Sequence, residues 1–230
     1  MSTDQIGLNG ANIIQLKIDG NAPLTPALTK QLDDALNRAE DLGVTGVVLV
    51  HVIGTEGPEL QTCWPGDVSI QIVSKWERVL RRMERTSATT VVLAEQSCSL
   101  LGLDLLLVAD RRVVASNLRI ELSRPYASAW PGMSLYRLTH QIGYARARKL
   151  ISFSKTLTAD VAIDFDIVDE TVDEPYDRLA ESMNPLGQLT RDMPVRRRLL
   201  QDSLSTSFED ALGVHLAACD RALRNDHCRD

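Results

Sequence analysis

Thr158-Ala159-Asp160-Val161-Ala162-Ile163-Asp164-Phe165-Asp166-Ile167-Val168-Asp169-Glu170-Thr171-Val172 is the stretch whose reading decides the fold. Thr158 is placed to cap a short helix, and Asp160 falls near the positive N-terminal end of that helix. The helix then runs into an apolar, strand-like exit at Ile167-Val168. A helix that hands directly to a strand is one link of a layered α/β chain.

The rest of the sequence repeats the alternation. Ile13 to Ile18 reads as an edge strand turned by Asp19-Gly20-Asn21. Thr25 caps the next helix, Pro26 suits its first turn and Gly43 ends it. Leu28, Leu32, Ala35, Leu36 and Ala39 form its apolar stripe. Val44 to Ile53 reads as a strand buried on both faces, because Val47, Val48, Leu49 and Val50 are contiguous. After a loop through Gly66-Asp67, a helix is expected over Val68–Arg85. Ile72, Trp76, Val79, Leu80 and Met83 lie on one side of it, with Arg78, Arg81, Arg82 and Arg85 largely on the other. That basic face reads as solvated surface, with phosphate binding as the other reading.

Thr89–Ala94 is a second buried strand, Leu100–Val108 an apolar helix with one acid inside it, and Arg112–Ala115 a third strand. Further helices are expected at Met133–Ile142, Ala145–Ile151 and Leu199–Leu223. Val47–Val50, Val91–Ala94 and Val113–Ala115 should lie in the core. No low-complexity tract divides the chain, so one core domain is expected over residues 1–180, with a C-terminal helical oligomerisation region over 181–230.

Composition narrows the function. A chain of 230 residues with 44% hydrophobic content can bury one substantial core. No apolar run approaches the ~20 residues that span a bilayer. Met1 to Asn9 has neither a basic start nor an apolar centre, so no signal peptide is expected and the location read is cytoplasmic. A net charge of −6 argues against nucleic acid. Cys63, Cys98, Cys219 and Cys228 show no metal-ligand spacing and no disulfide framework, which suits reduced thiols and no metal. His51, His140, His215 and His227 follow no triad motif, and His51 within a strand reads as a core residue.

The opening stretch resembles the helix-to-strand segment s-A-e-e-A-l-e-i-G-L-V-d-e-v-v of the crotonase, or enoyl-CoA hydratase/isomerase, superfamily. It matches at Ala159, Ala162, Val168, Asp169 and Glu170, while Asp166 stands where the family has Gly. Leu24-Thr25-Pro26 and Val47–Ile53 look like the opening of such a domain. Thr62-Cys63-Trp64-Pro65-Gly66-Asp67 stands where the family has F-s-A-G-a-D. Ser99-Leu100-Leu101-Gly102-Leu103-Asp104 stands where it has G-G-G-x-E, followed by Ala109-Asp110-Arg111-Arg112 for A-C-D-x-R-I. Trp130-Pro131-Gly132-Met133-Ser134-Leu135-Tyr136-Arg137-Leu138, ending at Gly143, resembles l-P-G-x-G-G-t-q-R-L…G. The resemblance covers about residues 12–175 and implies a spiral of ββα repeats with a C-terminal helical extension.

It also implies an oxyanion hole from the backbone N–H groups of Gly66 and Leu101, with Gly102 the neighbour if the loop shifts. Two fixed donors stabilise the anionic oxygen of a thioester enolate by several kcal/mol. Asp104 occupies the first catalytic acid position. An acid amid leucines needs a partner or a raised pKa, so it reads either as the acid/base or as half of a salt bridge with Arg124 or another basic group. Arg124 stands at the second acid position and cannot act as a base at neutral pH. Arg124, Trp130 and Gly132 are substrate-pocket candidates, and Glu121 is a reserve acid.

Within the superfamily the chain resembles an actinobacterial accessory group of 3,5-dihydroxyphenylglycine biosynthesis, on Lys75–Arg85, the degenerate G-G-G-x-E and W-P-G-M-x-L-Y-R-L. That implies dehydration or aromatisation of a polyketide CoA thioester to 3,5-dihydroxyphenylacetyl-CoA beside a type III polyketide synthase, with no cofactor beyond the CoA thioester substrate. The alternatives are a non-catalytic subunit that stimulates the synthase or a second crotonase, and a general acyl-CoA hydratase/isomerase. The family's C-terminal helices pack on neighbouring subunits, which implies a homotrimer or hexamer.

Overall fold

The computed structural model describes residues 3–8, 11–56, 64–122, 130–173 and 192–227. The elements run β1 Thr3–Leu8, β2 Ala11–Asp19, α1 Pro26–Asp41, β3 Gly46–Ile53, α2 Ile70–Met83, β4 Thr89–Glu95, β5 Ser97–Cys98, α3 Leu100–Leu106, β6 Arg111–Ala115 and β7 Arg119–Glu121. They continue with α4 Ser134–Phe153, β8 Thr156–Thr158, α5 Ala159–Asp164, β9 Glu170–Val172, α6 Met193–Ser203 and α7 Phe208–His227. Among the described residues a six-stranded sheet has the order β1-β2-β3-β4-β6-β9, and a three-stranded sheet the order β5-β7-β8.

The larger sheet is parallel from β2 to β9, with β1 antiparallel on its outer side. The contiguous valines of β3 are explained by this position. Val48, Val50 and Val52 point into the main core under α1 and α2, while Val47 and Leu49 point to a second cluster with Ile13, Val91, Leu93 and Val113. All the residues expected in the core from Val47–Val50, Val91–Ala94 and Val113–Ala115 are buried. Ile13–Ile18 is not an edge strand. It belongs to β2, which is flanked by β1 and β3, because the first residues pair along it from Thr3↔Leu16 to Leu8↔Ala11.

Helix α1 forms as its sequence signals it. The Thr25 hydroxyl accepts the Leu28 N–H at 3.1 Å, Pro26 opens the helix, and Leu28, Leu32, Ala35, Leu36 and Ala39 are all buried. On α2, Arg82 does not simply face solvent. It reaches α1, donating to Asp33, Asn37 and Glu40 at 2.5–2.6 Å. Two turns redirect the chain through left-handed backbone. Gln96 (φ 63) carries β4 into β5 of the small sheet, its N–H held by the Asn117 side chain at 3.1 Å.

Asp166 (φ 58) carries α5 towards β9. It explains the glycine that the resembling segment usually has there, since left-handed φ is free for Gly and tolerated by Asp. Thr158 is the N-cap residue of α5, but its side chain makes no capping bond.

The helices read as Met133–Ile142 and Ala145–Ile151 form one element, α4, interrupted at Gly143 (φ 78, ψ 157). Leu199–Leu223 is two helices, not one, with α6 and α7 separated around Ser205-Thr206. The boundary expected at 180/181 falls outside the described residues.

Arg197 anchors α6. Its side chain is 8% exposed, pairs with the Asp110 carboxylate and donates to the Thr86 carbonyl. Among the described residues helix α7 packs on α6. Phe208, Leu212, Leu216 and Leu223 are exposed along it at spacings that place them on one face. No helix among the described residues is long and apolar enough to cross a membrane.

Candidate active site

Helix α3 begins at a capped turn. The Ser99 hydroxyl donates to the Gly20 carbonyl at 2.8 Å and accepts the Leu101 N–H at 3.3 Å. The Ser99 N–H donates to the same Gly20 carbonyl at 3.0 Å. Leu101 N–H is thus held by one long bond, whereas Gly102 N–H is committed to the Ser99 carbonyl at 3.1 Å. Of the two residues proposed from sequence for this side of an oxyanion hole, Leu101 is the freer donor. Gly102 serves packing instead: a Cβ there would lie 3.2 Å from the Cys98 Cβ.

On the loop before α2, Gly66 adopts φ 85, and the Pro65 carbonyl before it accepts the Leu24 N–H at 2.9 Å. Only glycine takes that backbone conformation without strain.

One turn into α3, Asp104 is 2% exposed. The Ser134 hydroxyl donates to its Oδ1, and the Trp76 indole N–H donates to its Oδ2 at 3.3 Å. Burial pushes its pKa up to about 6, against the opposing pull of the Ser134 hydrogen bond. Glu77 adds to the rise, while the Trp76 bond and the charge of Arg137 oppose it. No carboxylate–cation contact to Asp104 occurs among the described residues. Arg137, 8% exposed, is taken by Glu77 at 3.0 Å and Glu84 at 2.7 Å. That pairing ties α4 to α2 and fixes Ser134 one turn before it.

Arg124, one candidate for a salt bridge with Asp104 and a substrate-pocket candidate, lies outside the described residues. Glu121 on β7 accepts the Thr156 hydroxyl at 3.2 Å and takes no part in the Asp104 group.

Trp130 and Gly132 belong to the same neighbourhood. The Trp130 Nε1 is 3.0 Å, and the Ser134 Oγ 3.5 Å, from where a Cβ on Gly132 would sit. Gly132 (φ 46) therefore lets the indole fold against the turn that presents Ser134. Trp64, two residues before Gly66, meets Trp76 edge-on with ring centroids 5.7 Å apart. The structure so gathers Asp104, Trp130 and Gly132 from the sequence reading, and adds Ser134, Trp76 and Trp64, which that reading did not assign to the site. Their signal was present only as polar atoms on apolar faces: Trp76 inside the stripe of α2 and Ser134 in the first turn of α4.

The histidines build no triad among the described residues. His51 is in the core as expected, 4% exposed, with Nε2 2.6 Å from Glu95 Oε1 and a pKa lowered by burial. It lies on the second sheet face, with Val47 and Leu49. His140 stacks on Tyr136 in the open.

The raised Asp104 pKa sets a stability test. The neutral form is favoured in the folded chain, so stability falls as pH rises from the ordinary value of 3.8 to about 6, then stays level. The Asn side chain of Asp104→Asn keeps an acceptor for Trp76, and the Ser134 hydroxyl can turn to accept from its amide. Asp104→Asn is expected to stabilise the protein at pH 8 by up to about 3 kcal/mol. Thermal melts should show that gain shrinking to nothing below pH 4.

No protein-family model matches the chain. A protein from Amycolatopsis orientalis named enoyl-CoA-hydratase is 42% identical over 212 residues, covering 92% of this chain and 96% of that one. Among solved structures, an enoyl-CoA hydratase/isomerase from Cupriavidus metallidurans superposes with a TM-score of 0.77 at 17% identity, covering 97% of this chain and 89% of that one. An enoyl-CoA hydratase from Mycobacterium smegmatis gives 0.75 at 15% identity, covering 95% and 90%. The structural likeness carries the fold, and the sequence likeness over nearly the whole of both chains carries the kinship: this chain belongs to the enoyl-CoA hydratase/isomerase, or crotonase, superfamily.

Proposed function

We propose that this protein binds an acyl-CoA thioester and removes water from its acyl chain through an enolate, with Asp104 as acid/base. The observation that carries the reading is a buried carboxyl whose pKa, about 6, lies near neutral pH, so that it both takes and gives a proton there. The Gly66 and Leu101 N–H groups would hold the thioester oxygen while it is anionic. A ligand oxygen displaces only the 3.3 Å bond from Leu101 to Ser99.

One carboxyl suffices for the balance. Asp104 as carboxylate takes the proton from the carbon next to the carbonyl, and the bonding pair passes into the enolate. The pair returns to form the double bond as the C–O bond at the third carbon breaks. The leaving hydroxyl takes the proton back from Asp104 and departs as water. No second acid is required, which accommodates an arginine at position 124.

The substrate we favour is a polyketide CoA thioester made by a type III polyketide synthase from malonyl-CoA, dehydrated or aromatised towards 3,5-dihydroxyphenylacetyl-CoA. The supporting features are the W-P-G-M-S-L-Y-R-L segment and the single acid. Mass-spectrometric profiling of the synthase with malonyl-CoA, with and without this protein, tests it. A dehydrated aromatic thioester appearing only with the protein supports the reading, and an unchanged profile rejects it.

A second reading is a non-catalytic subunit that stimulates the synthase or a second crotonase. The closure of Asp104 by Ser134 and Trp76 favours it, as does the open apolar face of α7. On either reading α7 requires cover, and a homotrimer or hexamer supplies it. Light scattering at micromolar concentration should give three or six times the 25.4 kDa chain mass. A monomer would remove this role of α7.

A further inference from the structure

Trp64 is 8% exposed, and among the described residues its indole Nε1 is a buried donor with no hydrogen-bond partner. A buried N–H left unpaired is costly, so an indole kept in such a place calls for an acceptor that arrives from outside. Phenylalanine would fill an apolar site without that cost.

Its position says what the acceptor is. Trp64 is two residues before Gly66, so their Cα atoms are at most about 7 Å apart. Its ring leans edge-on against Trp76, whose own N–H is already given to Asp104. Trp64 is thus tied through the chain to the loop that would hold the thioester oxygen, and through the Trp76 ring to the residue that binds the Asp104 carboxyl. Trp76, by contrast, is fully committed, and Trp130 is only partly buried.

We propose that the Trp64 indole N–H is a specificity-determining donor for an oxygen on the third carbon of the acyl chain, selecting oxygenated thioesters over alkyl ones. The proposal rests on the acyl-CoA reading above and narrows its substrate class. An alkyl chain leaves the indole unpaired, whereas a 3-oxo or 3-hydroxy chain satisfies it. Discrimination by a buried polar group of this kind exceeds what an apolar pocket achieves by shape alone.

Acetoacetyl-CoA and butyryl-CoA have the same chain length and differ at that carbon, so calorimetric titration of the full-length protein with each is the test. Wild type is expected to bind acetoacetyl-CoA about ten- to a hundredfold tighter. Trp64→Phe is expected to bring the two within about threefold, with butyryl-CoA affinity nearly unchanged. Because Trp64→Phe can also disturb packing, the wild-type indole signals supply a second readout. The chain has three tryptophans, and the Trp64 N–H proton should shift with acetoacetyl-CoA and stay in place with butyryl-CoA. Equal binding of both thioesters by wild type, or an unmoved Trp64 signal, overturns the proposal while leaving the acyl-CoA reading intact. Binding of neither thioester overturns that reading, and the proposal with it.

Discussion

Asp104→Asn is expected to lower product formation about 10²–10⁴-fold, the usual loss when a general acid/base is removed. Asparagine preserves the shape of the side chain and its bond from Trp76, but it cannot take a proton from the acyl chain. The wild-type rate should rise with pH through about 6, as the carboxyl ionises and becomes a base. In Asp104→Asn that inflection should be gone. The two effects of the substitution point in opposite directions, since the same change removes a buried charge at neutral pH. A variant that melts at or above the wild-type temperature while losing activity is what a proton-transfer group predicts. Unchanged product yield would take Asp104 out of the mechanism and leave the stimulating subunit in front.

The second large effect is expected at Arg197. Its guanidinium joins α6 to the core through Asp110, whose side chain is 2% exposed, and through the Thr86 carbonyl. Asp110 also accepts the Thr90 N–H at 2.8 Å and the Thr90 hydroxyl at 3.0 Å. Arg197→Met keeps the aliphatic stem and deletes the charge, leaving the carboxylate without its cation. Losing one partner of a buried pair costs about 3–5 kcal/mol. Urea unfolding should show that loss, and limited trypsin digestion should cut α6 and α7 sooner than in wild type. If the core stability is unchanged, α6 is not held through Arg197 and the C-terminal helices are anchored elsewhere.

How far the sequence could be read depended on how local each cause was. Helix α1 was legible end to end, because Thr25, Pro26 and the Leu28–Ala39 stripe act within one element. The buried strands β3, β4 and β6 were legible because apolar runs that long have few alternatives. Strand β1 was not. Its polar and small residues carry little periodic signal, and its pairing with β2 is a tertiary choice that turned a supposed edge into an interior strand. Asp104 announced itself as an acid among leucines, and burial is the largest cause of its raised pKa. Its partners did not announce themselves. Trp76 lies 28 residues before it and Ser134 30 after, and only the packing of α2 and α4 against α3 brings them together. Arg124, named for the salt-bridge reading of Asp104, stands outside the described residues, whereas Arg137 proved to belong to Glu77 and Glu84.

The bonds from Ser99 to the Gly20 carbonyl span 79 residues of sequence, and Gly20 itself donates to the Ile53 carbonyl at 2.8 Å. The turn that presents Leu101 is therefore sewn to the ends of β2 and β3 rather than left to swing as a lid. Closing so long a loop costs conformational entropy once, when the sheet assembles. On the proposed reading, a thioester oxygen would meet a backbone already fixed in place, and its affinity would not be diminished by having to freeze that part of the chain. Such preorganisation would let a leucine serve at position 101, where the resembling segment has glycine, because the peptide N–H, not the side chain, is the group that the fold has fixed in position.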